Sequence, residues 1–461
     1  MAKSPESYKE NLNLKKGRRQ SFNVIALLHM LFITIPLVFV RIPFAVFFEH
    51  ILPFMTFYAY QSHTYRDVGR RAIPDIVVRF VRDYLTRGSP AEGRATFFGR
   101  KTAYNMLYAL PSWRKHKAWR SYVAEPGVTG RWIADHSTQR KDDDFVLFFV
   151  HGGGFVVDTG GTCQLFWLHL MKELTLKRGI KFSIFQLDYE MAPDYQYPSQ
   201  LIEISAAYAW MVNKLGIDPK KICMSGDSAG GQLITAELLH LSRPSPEISI
   251  PKSFGPLPPT PGSTLLISPF IKFLGDSHSY QRNASFDLIE IRCAALFAMQ
   301  YLGCVKIPST WSLSFNPVHL FGSPHPDPAS FIKEELVPAL PKSEKQQELS
   351  TVKARLANPY ANVGGVKDRA WWKEAMPAHN MVIYGGREIF TDDIAEYIRL
   401  LEDSEVPVIR LKKDYGVHDW ILYEPTIPWL RFNKSKGPDQ EPDWGVNHVA
   451  DFIQNIVRGE V

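Results

Sequence analysis

From residue 145 onward the chain alternates short apolar runs with amphipathic stretches. The runs Phe145–Val150, Phe182–Leu187, Ile222–Ser225, Thr264–Ile267, Met381–Tyr384 and Val406–Leu411 have strand length, and several are apolar throughout. A strand buried on one face alternates apolar and polar residues. One without that alternation is covered on both faces, as parallel strands are. Helical patterns lie between them, for example Ile202–Leu215, Ala229–Leu241 and Asp392–Glu402. This order predicts an α/β fold with a doubly wound, mostly parallel sheet. Two regions break the rhythm. Ser242–Gly262 is proline-rich and reads as a surface loop. Residues 271–357 show helical patches and little strand signal, so a helical cap is expected there, inside a catalytic domain over 121–461. Residues 61–120 are expected to supply a further, N-terminal part of that cap.

The N-terminal pattern is different. Phe22–Val40 contains no Asp, Glu, Lys or Arg. As a helix it would extend about 28 Å at 1.5 Å per residue, close to the hydrocarbon thickness of a bilayer. Lys15, Lys16, Arg18 and Arg19 precede it, and Arg41 is the only basic residue for many positions after it. Positive charge stays on the cytoplasmic side. The expectation is therefore a single-pass anchor at 22–40, a cytoplasmic tail at 1–21 and the remainder across the membrane. Residues 41–60 are also apolar but are interrupted by Glu49 and His50, as in a segment lying at the interface. Two glycosylation triplets, at Asn283 and Asn433, fit a lumenal domain.

Composition adds limits. A chain of 461 residues can bury a large core without disulfides. The net charge is +6, with 13 Lys and Arg against 4 Asp and Glu over residues 61–120. No nucleic-acid-binding signature accompanies that excess. The cysteines Cys163, Cys223, Cys293 and Cys304 have no C-x-x-C spacing, which argues against a zinc site. Cys293 and Cys304 are near enough in sequence to be a candidate pair. No metal or organic cofactor is implied.

The chemistry sits in two motifs and two loops. Gly226-Asp227-Ser228-Ala229-Gly230 matches G-x-S-x-G between a predicted strand and a predicted helix, the setting of a nucleophile elbow at Ser228. His151-Gly152-Gly153-Gly154-Phe155 follows another predicted strand. A glycine run there lets backbone N–H groups approach a developing oxyanion. A serine nucleophile needs a base, and the base an orienting carboxylate, in the chain order Ser, acid, His. His418 follows the last predicted strand, with His448 as the alternative. The acid should follow Met381–Tyr384. Glu388 lies in that loop, and Asp392 is the alternative. Asp392 and Asp393 also read as first-turn residues of a helix capped by Thr391.

The segments HGGGF at 151–155, DYEMAPD at 188–194, GDSAGG at 226–231, ISPF at 267–270 and GGREIFTDD…GVHDW resemble the hormone-sensitive-lipase-like branch of the α/β-hydrolases. The resemblance covers roughly residues 140–425. It implies an oxyanion hole built from the amides of Gly153, Gly154 and Ala229. The family acid is usually Asp, and the matching position here is Glu388. With its N-terminal anchor the chain also resembles membrane-anchored steryl acetyl hydrolases and, less closely, arylacetamide deacetylases. That likeness implies an endoplasmic-reticulum esterase with a lumenal catalytic domain and a small apolar acetyl ester as substrate. An amidase, an arylformamidase or a secondary-metabolite deacetylase would share the same motifs.

Overall fold

The computed structural model describes residues 12–16, 24–36, 38–40, 78–82, 84–85, 90–96, 119–134, 138–273, 277–303, 353–425, 438–441 and 443–460. Eight strands form one sheet: β1 (Trp119–Glu125), β2 (Val128–Ala134), β3 (Phe145–Val150), β4 (Phe182–Leu187), β5 (Ile222–Asp227), β6 (Ser263–Ile267), β7 (His379–Gly385) and β8 (Ile409–Lys413). Their order is β1-β2-β4-β3-β5-β6-β7-β8. β2 runs antiparallel to both β1 and β4, and the pairs from β4 to β8 are parallel. The predicted doubly wound α/β sheet is present.

The apolar strands are covered on both faces. Val146, Phe148 and Val150 of β3 point into one core cluster, while Phe145, Leu147 and Phe149 point into the other. The helices in chain order are α1 (Val24–His29), α2 (Pro90–Thr96), α3 (Gln164–Lys172), α4 (Ser199–Ala209), α5 (Ala229–Ser242), α6 (Ser279–Arg282), α7 (Ile291–Leu302), α8 (Arg369–Ala375), α9 (Thr391–Asp403), α10 (Trp420–Tyr423) and α11 (Trp444–Arg458). α4, α5, α8 and α9 pack over the first cluster; α3, α10 and α11 pack over the second. α6 and α7 lie in the chain between β6 and β7, inside the stretch expected to be a cap.

Several expectations need correction. β1 and β2 were not foreseen, and β1 begins inside the stretch assigned to the N-terminal cap. The hairpin turns at Pro126 and Gly127, whose φ of 88° only glycine adopts at little cost. The last strand begins at Ile409, not Val406. Thr391 is the first residue of α9 and does not cap it; its hydroxyl donates to the carbonyls of Gly385 and Glu388. Asn283 is fully buried, and its amide donates to the carbonyls of Glu388 and Gly386, so it is no glycan acceptor in the folded chain. Asn433 lies outside the described residues. Cys293 is a free buried thiol donating to the carbonyl of Leu85.

At the N-terminus, α1 continues through a wider π turn at Met30–Thr34. His29 Nδ1 lies 2.6 Å from Glu92 Oε1 of α2, and the Thr34 hydroxyl donates to Glu92 Oε2 at 3.3 Å. Glu92 and Thr34 are buried, while Val24, Leu28, Leu31 and Phe32 are exposed. Among the described residues, no helix is long and apolar enough to cross a membrane. Upstream, Lys15 N–H donates to Ser199 Oγ, Lys16 bridges Tyr195, and Leu12 is buried in the core. Residues 41–60 lie outside the described set.

Candidate active site

The C-terminal ends of β3, β5, β6, β7 and β8 lead into His151, Ser228, Ser268, Glu388 and His418 in turn, the edge where α/β sheets place their ligands. The register aligns Val150 of β3 with Gly226 of β5, and Asp227 with Ile267 of β6. Adjacent strands therefore deliver the glycine loop, the serine and Ser268 side by side.

Ser228 sits between β5 and α5 with φ 49° and ψ −117°. A non-glycine residue persists in such a conformation only where its surroundings impose it. A Cβ on Gly230 would strike the Val150 carbonyl, and one on Gly226 would strike the Gly230 backbone. The two glycines are thus steric requirements of the elbow. Ser228 N–H donates to the Ile267 carbonyl at 2.9 Å, and the Ser228 carbonyl accepts from Phe270. The serine is buried at 7% exposure, at the N-terminus of α5.

The glycine loop is held from three sides. Gly152 N–H donates to Asp227 Oδ1 at 2.8 Å, the Tyr189 hydroxyl to the His151 carbonyl at 2.9 Å, and Ala192 N–H to the Phe155 carbonyl at 2.8 Å. Arg94 of α2 donates to the carbonyls of Val156 and Ala192 and pairs with Asp194. Gly153 and Gly154 have φ of 90° and 61°. Among the described residues, no carbonyl or side chain accepts from the amides of Gly153, Gly154 or Ala229. Gly153 and Gly154 are half-buried and Ala229 is buried, so three amides without a protein acceptor, on the two loops that flank the serine, can serve as a receptor for an oxygen anion. Phe297 of α7 lies against Gly154, and the rings of Phe155 and Tyr301 stack at 4.1 Å. Phe390 packs edge-on to the His418 ring at 5.2 Å and stacks on Phe270 at 4.7 Å.

His418 and Glu388 meet: Nδ1 is 3.0 Å from Oε2, and both side chains are buried. Glu388 Oε1 accepts the Gly385 N–H at 2.8 Å, and the Ser268 hydroxyl also bonds this carboxyl. Burial pushes Glu388 up and His418 down from their ordinary values, so charge on either is favoured only when the other carries the opposite sign. Asp392 stands elsewhere, paired with Arg282 at 2.8 Å and accepting from Ser279 N–H at 2.9 Å. His448 lies on α11 against Trp444. The structure thus brings His418 and Glu388 together and leaves both alternatives apart from them.

The Nε2 edge of His418 faces Asp419 Oδ2 at 3.2 Å. No hydrogen bond joins Nε2 to Ser228 Oγ among the described residues; such contacts often tighten only when substrate arrives. Asp419 has φ 54°, and its N–H donates to Ser268 Oγ. The carboxyls of Asp227 and Asp419 are neighbours in this buried cluster, and burial pushes Asp227 up to about 7 and Asp419 well up. Neither residue was singled out from sequence. Nor were Ser268, Arg94 and Asn283 given any role at this site.

Comparison with known proteins now bears on this geometry. A family model described as the alpha/beta hydrolase fold matches residues 147–319. Arylacetamide deacetylase of Oryctolagus cuniculus is 31% identical over 149 residues, covering 31% of this chain and 34% of that protein. Hormone-sensitive lipase of Mus musculus is 39% identical over 97 residues, covering 20% of this chain and 12% of that protein. Over these stretches the chain is similar to hormone-sensitive-lipase-like α/β-hydrolases. A crystal structure of an esterase from the bacterial hormone-sensitive lipase family superposes with a TM-score of 0.51 at 20% identity, covering 84% of this chain and 98% of that one. A mutant of esterase E40 gives 0.53 at 20% identity, covering 84% and 99%. At that identity the superpositions establish the shared α/β-hydrolase fold alone. The aligned region spans about a third of the length of the deacetylase and less of the lipase.

Proposed function

We propose that this α/β-hydrolase is a serine carboxylic-ester hydrolase that uses Ser228 as nucleophile, His418 as base and Glu388 as orienting acid. The observation that carries the reading is the convergence, at one sheet edge, of a strained buried serine, three unpaired amides and a buried His–Glu pair. The Ser228 hydroxyl attacks the ester carbonyl and gives its proton to His418 Nε2, which must exchange Asp419 for Ser228 as its neighbour. The carbonyl oxygen, now an anion, takes hydrogen bonds from Gly153, Gly154 and Ala229. Nε2 returns the proton to the leaving alcohol, and water releases the acyl group by the same route.

The substrate we propose is an acetyl ester of an apolar, sterol-like alcohol. The aromatic residues packed around the catalytic loops make an apolar surrounding that suits such a group, and relatives bearing the name deacetylase support the acyl half. We further propose that the exposed apolar face of residues 24–40 meets a membrane. Ser228→Ala should abolish both hydrolysis of p-nitrophenyl acetate and labelling by a fluorophosphonate; retention of either by pure protein overturns the nucleophile. Turnover of an acetyl sterol, acetanilide and formylkynurenine by the wild-type chain then separates esterase from amidase and formamidase. Preference for either amide overturns the substrate class while leaving Ser228 in place.

A further inference from the structure

Asp287 lies between α6 and α7, far in sequence from both loops of the His–Glu pair, and is completely buried. Its Oδ1 accepts the backbone N–H of His418 at 2.8 Å and that of Leu288 at 2.8 Å. Its Oδ2 accepts the N–H of Ile389, the residue after Glu388, at 2.7 Å. One carboxylate therefore fastens the acid loop and the histidine loop to the same point of the inserted segment. The neighbours of Asp287 tie down the same acid loop. Asn283 donates to the carbonyls of Glu388 and Gly386, and the Ser279 hydroxyl donates to that of Ile389.

We propose that Asp287 is a positioning residue for the reaction: its carboxylate sets the Glu388–His418 geometry through the two backbone amides, and its charge supports the imidazolium formed on His418. This rests on the esterase reading above. A buried carboxylate can stay ionised when several N–H groups donate to it. Burial nonetheless pushes Asp287 up to about 6, so its charge is present at neutral pH and above. The other charged and titratable groups around it are Glu388 and His418. The Arg82 guanidinium is on the Asp287 carbonyl, and Arg387 lies over the neighbouring Phe286 ring. His418 additionally faces Asp419, which is backed by Asp227, Cys163 and Tyr423. Among these acids, Asp287 alone holds both loops by their main chain.

The test is Asp287→Asn in the full chain. Active sites are counted by a stoichiometric fluorophosphonate titration, and hydrolysis of p-nitrophenyl acetate is followed against pH. An Asn amide can accept one of the two loop N–H bonds but must present N–H to the other. Small displacements of reacting groups cost up to about 100-fold. We expect kcat per titrated site to fall about 10- to 100-fold with KM within about twofold of wild type. The lost negative charge means that His418 binds its proton less tightly, so the acid limb of kcat/KM should move to lower pH. Asp287→Glu keeps the charge but displaces the oxygens. It should lower kcat per site while leaving the acid limb where wild type has it, and it serves alone if the Asn variant yields no titratable sites. A kcat per site within twofold of wild type in either variant overturns the proposal, as does an unmoved acid limb in Asp287→Asn. Failure of Ser228→Ala to abolish turnover would overturn the esterase reading instead.

Discussion

Replacing Glu388 by Gln tests the acid most directly, because the structure dictates how the amide must sit. Besides the Ser268 hydroxyl, which can rotate to donate or accept, Glu388 has two partners of fixed direction, the Gly385 N–H at 2.8 Å on Oε1 and His418 Nδ1 at 3.0 Å on Oε2. The site is fully buried, so the Gly385 N–H retains an acceptor only if the amide oxygen takes the Oε1 position. That turns the NH₂ group toward Nδ1. A donor there forces the imidazole proton onto Nε2, the tautomer that cannot accept a proton from Ser228. The counter-charge is lost as well. A carboxylate about 4 Å from the imidazolium is worth about 4 kcal/mol at an effective dielectric of about 20. At about 1.4 kcal/mol per decade, that is about 10³ in rate. With the tautomer penalty added, kcat should fall by about 10³- to 10⁴-fold. The assay is turnover of p-nitrophenyl acetate with circular dichroism to confirm folding. Asp392→Asn is the paired control. Asp392 is a partly exposed first-turn residue paired with Arg282, so its loss should cost about 0.5–1 kcal/mol of stability and leave kcat within twofold. A Glu388→Gln enzyme keeping a tenth of its kcat, or a dead Asp392→Asn, refutes the assignment.

Two further outcomes follow from buried and exposed side chains remote from the triad. Glu237 of α5 is fully buried, accepts from the Ser205 hydroxyl and no other hydrogen-bond donor among the described residues, and burial pushes it up to about 8. The folded state thus holds this proton more tightly than the unfolded chain, so its contribution is complete below about 4.5 and lost as pH rises to about 8. Glu237→Gln, always neutral, should match wild type in urea unfolding near pH 4 and exceed it by on the order of a few kcal/mol above pH 8; equal stability at both would refute the burial effect. For the membrane proposal, Phe32→Glu should abolish flotation of the protein with phosphatidylcholine–phosphatidylserine vesicles without changing turnover of a soluble ester. Unimpaired flotation would show that this face is not the contact.

The parallel strands were legible because both their faces are covered. Phe145–Val150 and Phe182–Leu187 appear with the bounds read from sequence. The β1–β2 hairpin was not, although Pro126-Gly127 marks its turn. Its strands carry Arg120, Glu125 and Arg131, which interrupt the continuous apolar run that marks the inner parallel strands, and β1 is the sheet's edge strand. Hydropathy over Phe22–Val40 sums all faces of a helix, whereas among the described residues Thr34 and Val38 are buried and Phe32 and Leu28 exposed, a division that the sum does not show.

The site divides the same way between local and long-range information. Ser228 and the glycine loop are encoded by residues a few positions apart, so their motifs could be read outright. His418 and Glu388 needed only the chain order that the fold imposes. Asp287 is 131 residues from His418 and 102 from Ile389, and nothing near it in sequence marks it. Arg94 likewise reaches 98 residues to the Ala192 carbonyl. These residues touch backbone, whose donors and acceptors are the same at every position. A side chain that binds main chain leaves no complementary residue type to look for, whereas a nucleophile, its base and its acid each demand particular chemistry. The groups that perform the proposed reaction are therefore visible in sequence before the groups that hold them in place. The choice of Glu388 over Asp392 shows where the boundary falls. Both are carboxylates in one short stretch, and what separates them is the contact each makes: Glu388 with His418, Asp392 with Arg282 and Ser279.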